Sequence, residues 1–186
     1  EPLWLDQVHG THVVEFHVER GSTVPPTADG AVARRPGQVL AVMTADCLPL
    51  LLADRAGGVV AVAHAGWRGL AAGAIEETVR AMDVAPGALL AWLGPAIGPR
   101  AYEVGAEVRE AFVRADAGSA AAFVPREADQ PGKYLADLYW LARRRLVRLG
   151  VKAVYGGEAC TYSEPQRFFS FRRDGQTGRM ASLIWL

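Results

Sequence analysis

The chain has 186 residues, enough for one domain around a continuous apolar core, and its make-up of 51% hydrophobic and 22% charged residues is that of a fully folding globular protein. Lys+Arg and Asp+Glu number 20 each, so no net field draws the chain to nucleic acid or an anionic membrane. Its longest apolar runs, residues 39–45 and 47–53, are too short and interrupted to cross a bilayer, and no basic, apolar leader opens it, so the cytoplasm is the expected compartment.

The chain begins at Glu1, inside what reads as the approach to a strand, as expected of a truncated sequence. Residues 3–18 mix apolar residues with His9, His12 and His17 and read as two short strands joined by a tight turn at Gly10. Residues 21–30, with Pro25, Pro26 and Asp29-Gly30, read as a loop. Two buried strands follow at 39–44 and 48–53, separated by Ala45-Asp46-Cys47, and a third at 59–63 ends at His64. The spacing of Leu70, Ala74, Ile75, Val79 and Met82 predicts a helix closed by Pro86-Gly87.

A strand at 88–93 leads into an irregular loop at 94–99, and 105–115 is a helix. A stronger helix is expected over 134–149, with leucines on one side and a solvated cluster of arginines on the other. Strands at 151–155 and 181–186 flank the polar segment 160–179. Strands and helices alternate only partly, so the expected fold is α+β: one compact mixed-sheet domain over residues 1–186 with flanking helices.

The soft and borderline metal donors His9, Cys47 and His64 each stand beside a turn at a strand end. Two imidazoles and a thiolate with one vacant position match a three-ligand catalytic zinc site, although the spacings fit no short zinc motif. A buried cysteine with two hydrogen-bonded histidines explains the same residues. Cys47 and Cys160 are expected as thiols rather than a disulfide. Asp46 either orients a ligand or caps a turn. His12, in the opposite phase to His9 on an extended segment, and His17, beyond it, suit surface or packing roles.

Arg68, between Gly66 and Gly69 at a helix start, is a candidate anion ligand or the partner of a carboxylate. In the run from Phe168 to Arg179, Phe171 could stack a planar base while Arg172 and Arg173 meet an anion; Phe168 and Phe169 are expected in the core. No Gly-x-Ser-x-Gly elbow and no His-x-Glu with Pro-Cys-x-x-Cys is present.

In order, Leu5-Asp6-Gln7-Val8-His9-Gly10, Thr44-Ala45-Asp46-Cys47-Leu48-Pro49, His64-Ala65-Gly66-Trp67-Arg68-Gly69, Gly94-Pro95-Ala96-Ile97-Gly98 and the segment from Cys160-Thr161-Tyr162 to Met180 resemble the landmarks of the YfiH family, also called the laccase-domain or multicopper polyphenol oxidase family. The resemblance runs from the first residues to the last. It implies His9, Cys47 and His64 as metal ligands, with zinc as the expected metal and copper as the alternative.

It also implies phosphorolysis of purine nucleosides (adenosine, inosine and S-methyl-5′-thioadenosine) and adenosine deamination at the same centre. Editing of wrongly built peptidoglycan precursors is attributed to some bacterial members. Relatives carry a further segment before the QVHG strand, whose absence here puts part of the pocket wall in doubt. The expected catalytic residues are Cys47, His64, Arg68 and Asp46, with phosphate held by Arg68 and assisted by Arg172 or Arg173.

The expected partners are a purine nucleoside and phosphate, in a monomer or small homo-oligomer, with neither nucleic acid nor membrane. The rivals are a copper oxidase of phenols, a metal- or nucleotide-binding module without catalysis, and a hydrolase using Cys47 with His64.

Overall fold

A computed structural model describes residues 1–16, 24–126 and 131–186. His17 and residues 18 and 21–23 of the expected strand and loop lie outside them. In chain order the elements are β1 (Val13–Glu15), β2 (Gly30–Ala33), β3 (Val39–Thr44), β4 (Leu48–Asp54), β5 (Val60–Ala65), α1 (Trp67–Ala72), α2 (Ala74–Met82), β6 (Leu89–Leu93), β7 (Glu103–Gly105), α3 (Ala106–Ala115), β8 (Phe123–Pro125), β9 (Lys133–Ala136), α4 (Leu138–Leu149), β10 (Ala153–Gly156), α5 (Phe171–Asp174) and β11 (Met180–Trp185). Among the described residues no helix is long and apolar enough to cross a membrane.

Six strands form one mixed sheet in the order β1-β2-β5-β4-β6-β10. Its outer pairs, β1 with β2 and β6 with β10, are parallel, and the pairs between are antiparallel. β3 and β11 make an antiparallel ribbon, and β7, β9 and β8 a small third sheet. The fold is thus α+β with a mixed central sheet, as the sequence predicts.

Period-2 alternation places the layers. Ala61, Ala63 and Ala65 of β5 join Leu48, Leu50 and Leu52 of β4 in the core shared with Ile75 and Val79 of α2 and Leu141 and Leu146 of α4. Val60 and Val62 face the opposite way, into a second core with Leu5, Leu40 and Val42. The sheet is therefore covered by helices on one face and by the β3–β11 ribbon on the other. His64 is in phase with Val60 and Val62, so its side chain emerges on the ribbon side.

Four local expectations are corrected. The two runs around Gly10 do not pair with each other: Leu3 bridges Leu40, Asp6 bridges Thr27, and β1 pairs in parallel with β2. The helix expected from Leu70 begins earlier and is two helices, because Gly73 takes a left-handed conformation (φ 107°) that ends α1 and starts α2. Residues 134–136 belong to β9, and α4 starts only after Asp137, whose carboxylate accepts from the amide of Trp140 at 2.9 Å.

The arginines of α4 are not simply solvated. Arg143 donates to the carbonyls of Val154 and Gly156, Arg144 and Arg148 pair with Asp116, and Arg145 pairs with Glu76 and donates to Ala71. They tie the helix to its neighbours.

Candidate metal centre

Three chain segments end at one point on the ribbon side of the sheet. His64 lies near the end of β5 and is buried, at 3% exposure. Cys47 follows Asp46, which makes the sharp β3–β4 connection with φ 91°. His9 precedes β1 in a left-handed conformation (φ 62°) just before Gly10. The ring nitrogens of His9 and His64 and the sulfur of Cys47 lie within 4.8 Å of one another. The sulfur is 3.9 Å from Nε2 of His9, and the two rings meet edge to face with centroids 4.7 Å apart.

Asp29 organises this corner. Its carboxylate accepts from the amides of Val8, His9 and Gly10 at 3.2, 2.9 and 2.6 Å, and stands 2.8 Å from Nδ1 of His64. An ionised carboxylate only accepts, so Nδ1 carries the proton. Burial works to raise the carboxyl's proton affinity, but the hydrogen bonds from His64 and Gly10 outweigh it and hold Asp29 below its usual range.

The same balance acts on the ligands. Burial pushes the Cys47 thiol up, yet hydrogen bonds to His64 and His9 bring it down to about 7. Burial pushes His64 down, but Asp29 and the Cys47 sulfur raise it to about 9. The sulfur and the ring thus each favour the other's charged form.

Two glycines permit the crowding. A Cβ on Gly66 would stand 2.9 Å from the Cys47 sulfur and 3.0 Å from Cδ2 of His9, and one on Gly69 would stand 2.7 Å from the Gly10 carbonyl oxygen. Their part in the Gly66-Trp67-Arg68-Gly69 run is steric room for the His9 turn.

A cavity of about 610 Å³ opens over the cluster, lined by His9, Cys47 and His64 on one side and by Phe171, Gln176, Thr177 and Arg179 on the other. Asp46 anchors that far wall: its carboxylate accepts from Thr161 Oγ1 and from the Arg172 amide, both at 2.6 Å. Gln7 fixes the near wall by a paired bond to the backbone of Met43.

Phe171, 66% exposed, presents its ring at the cavity, whereas Phe169, expected in the core, is 49% exposed. Phe168 is partly buried and lies beneath the Arg167 guanidinium. His12 is exposed, and both cysteines are free thiols.

The arginines differ in availability. Arg173 donates to the carbonyls of Thr161, Tyr162 and Phe168 and pairs with Asp174, so its guanidinium is engaged in holding the segment together. Arg172 rests over the Tyr102 ring and donates to the carbonyl of Glu103. Arg68 is exposed over Trp67, and it and Arg172 both act electrostatically on the buried Tyr102 hydroxyl, as does Cys47. Burial raises that hydroxyl's proton affinity well above the ordinary tyrosine range, so Tyr102 stays neutral.

Asp29 and Arg179 are the site residues that sequence reasoning missed. Asp29-Gly30 looks like any turn, and the only pointer to Arg179 was its place at the end of the aromatic and basic run.

The family model for multi-copper polyphenol oxidoreductase laccase matches residues 1–186. The Escherichia coli (strain K12) protein named purine nucleoside phosphorylase YfiH is 56% identical over 186 residues, which cover all of this chain and 74% of that protein. A crystal structure of a Neisseria meningitidis protein superimposes with a TM-score of 0.92 at 52% identity, covering 100% of this chain and 75% of that one. The crystal structure of Bacillus licheniformis hypothetical protein YfiH gives 0.89 at 32% identity, covering 98% and 74%. Matched along its whole length in sequence and in fold, the chain belongs to the YfiH family, the laccase-domain proteins.

Proposed function

We propose that the chain is a zinc-dependent purine nucleoside phosphorylase acting on adenosine, inosine and S-methyl-5′-thioadenosine, with adenosine deamination at the same centre. Residues 1–186 act as one catalytic unit in the cytoplasm, as a monomer or small homo-oligomer. The observation that carries the reading is the convergence of one sulfur and two imidazoles within 4.8 Å at the floor of a cavity large enough for a nucleoside. The activity for which the Escherichia coli relative is named supplies the reaction class.

The donor set fits the metal. A thiol already poised to ionise and a His64 ring whose Nδ1 is taken by Asp29, leaving Nε2 for a cation, suit a three-ligand zinc site. A multicopper centre needs more imidazoles than the four histidines of this chain provide. When bound, the metal supplies Lewis acidity at the cavity floor.

The chain's own residues then divide the remaining work. In phosphorolysis a phosphate oxygen forms a bond to C1′ as the bond from C1′ to purine N9 breaks, and the departing purine takes up a proton. Arg68 and Arg172 neutralise the phosphate, and the exposed ring of Phe171 gives the purine a stacking face. Arg173, through its carbonyl bonds, and Asp46, through Thr161 and Arg172, keep that wall in place. In deamination water adds at C6 and ammonia leaves, converting adenosine to inosine.

The deciding experiment is chromatography of the products from adenosine, with and without phosphate, on protein of measured metal content. Adenine and ribose 1-phosphate are expected with phosphate, and inosine without it; no turnover by zinc-loaded protein overturns the reading. Arg68→Ala should raise the phosphate KM while sparing deamination, a split that two separate assays resolve.

A further inference from the structure

We propose that Asp29 is the positioning residue of the centre: one buried carboxylate sets both the ring of His64 and the backbone turn presenting His9, and so governs metal affinity without touching the metal. This rests on His9, Cys47 and His64 being the ligands.

The two oxygens of Asp29 divide the task. Oδ1 faces the amide of His9 at 2.9 Å and Nδ1 of His64 at 2.8 Å, while Oδ2 faces the amides of Val8 and Gly10 at 3.2 and 2.6 Å. Only a carboxylate offers two oxygens with lone pairs for four donors; an amide offers one, and a hydroxyl fewer acceptor sites still. The side chain is completely buried, so no water competes for those bonds.

The main chain of Asp29 repeats the connection. Its amide donates to the carbonyl of His12 at 3.0 Å, and its carbonyl accepts from the amide of His64 at 2.7 Å. The residue therefore stitches the segment before β1 to the end of β5, the two places from which the imidazoles come.

Each bond has a consequence for the site. The Nδ1–H bond fixes the His64 tautomer and leaves the Nε2 lone pair toward the cluster, and a carboxylate partner makes that nitrogen the better donor. The three amide bonds hold His9 in the left-handed conformation, which a non-glycine residue keeps only when its surroundings dictate it. Without Asp29 the His9 turn loses its acceptor and the ring loses its aim.

The test compares wild type with Asp29→Asn, which keeps the size but turns one acceptor oxygen into a donor facing other donors. Zinc affinity, read by competition with a chromophoric chelator, should fall about 10- to 100-fold. The sulfur-to-cobalt charge-transfer and d–d bands of the cobalt-substituted protein should also shift, which loss of stability alone does not cause. A folded variant with wild-type affinity and spectrum overturns the proposal.

Should Asp29→Asn fail to fold, the wild type still decides. In protein labelled with ¹⁵N-histidine and loaded with ¹¹³Cd, the metal coupling of His64 should appear at Nε2, with an exchange-protected proton on Nδ1. Coupling at Nδ1 overturns the proposal. Wild-type protein that takes up neither zinc nor cobalt refutes the ligand assignment itself, an outcome distinct from failure of Asp29 alone.

Discussion

Cys47 sits between two imidazoles that favour its ionised form, and its thiol is brought to about 7. The thiolate is the species that alkylates, so the rate should rise with pH and reach half its maximum near pH 7 in chelator-treated protein, against about 8.5 for an ordinary cysteine. Site-resolved mass spectrometry separates this from reaction at Cys160. Zinc should protect Cys47 across the whole range, and Cys47→Ala should remove metal and turnover together while leaving circular dichroism near native.

At this scale the sequence was informative where chemistry is concentrated in a residue type. Cysteine and histidine beside turns drew attention to His9, Cys47 and His64 without coordinates. Asp29 stayed hidden because its partners lie 19 to 35 positions away, and an aspartate before glycine carries no mark of them. Arg172 and Arg173, adjacent and identical in type, could not be told apart, since which of them is taken up by backbone carbonyls depends on how the segment folds back.

Among the elements, the loop at 94–99 is held by backbone bonds to Pro49, Asp46 and Thr161 and by one phenol. The Tyr139 hydroxyl, buried on α4, accepts from the amide of Ala96 at 2.7 Å and donates to the carbonyl of Ala159 at 2.9 Å, with burial pushing its proton affinity up to about 12. Tyr139→Phe leaves a buried amide unpaired and should cost roughly 1–3 kcal/mol, seen as a lower denaturant midpoint at unchanged m. Gly66→Ala acts differently: its methyl meets the Cys47 sulfur at 2.9 Å, so metal affinity should fall much more than stability. Equal losses in both would contradict the packing argument.

The long apolar strands β3, β4, β5 and β6 and the helix α3 were legible because each buries a continuous run or a clear helical stripe. β2 was not, because Gly-Ala-Val-Ala has neither length nor enough β-branched residues, and its place between β1 and β5 comes from tertiary pairing. β9 was absorbed into the expected helix because Leu135 continues the spacing of Leu138 and Leu141. Asp137 breaks that continuity by capping α4.

For the whole molecule, two apolar cores and strand pairing hold the layers of ribbon, sheet and helices, and hydrogen bonds within the protein hold the ligands in place. Chelation should therefore leave one cooperative unfolding transition and the native far-ultraviolet spectrum. The unfolding free energy should drop only by the binding contribution, about 2.7 kcal/mol at a ligand concentration 100 times Kd. A collapse of the fold on metal removal would instead mark a structural zinc site.

The α+β class followed from the partial alternation of strands and helices, whereas the division into three sheets did not, because strand partnership is decided by contacts that no local pattern encodes.

The donors at positions 9, 47 and 64 are widely separated in the chain, and they meet only after the sheet has paired strands from distant segments. Until those segments have come together, a cation meets fewer than three of the donors. Full occupancy in a purified population therefore reports, molecule by molecule, that the segment before β1, the β3–β4 connection and the end of β5 have come together.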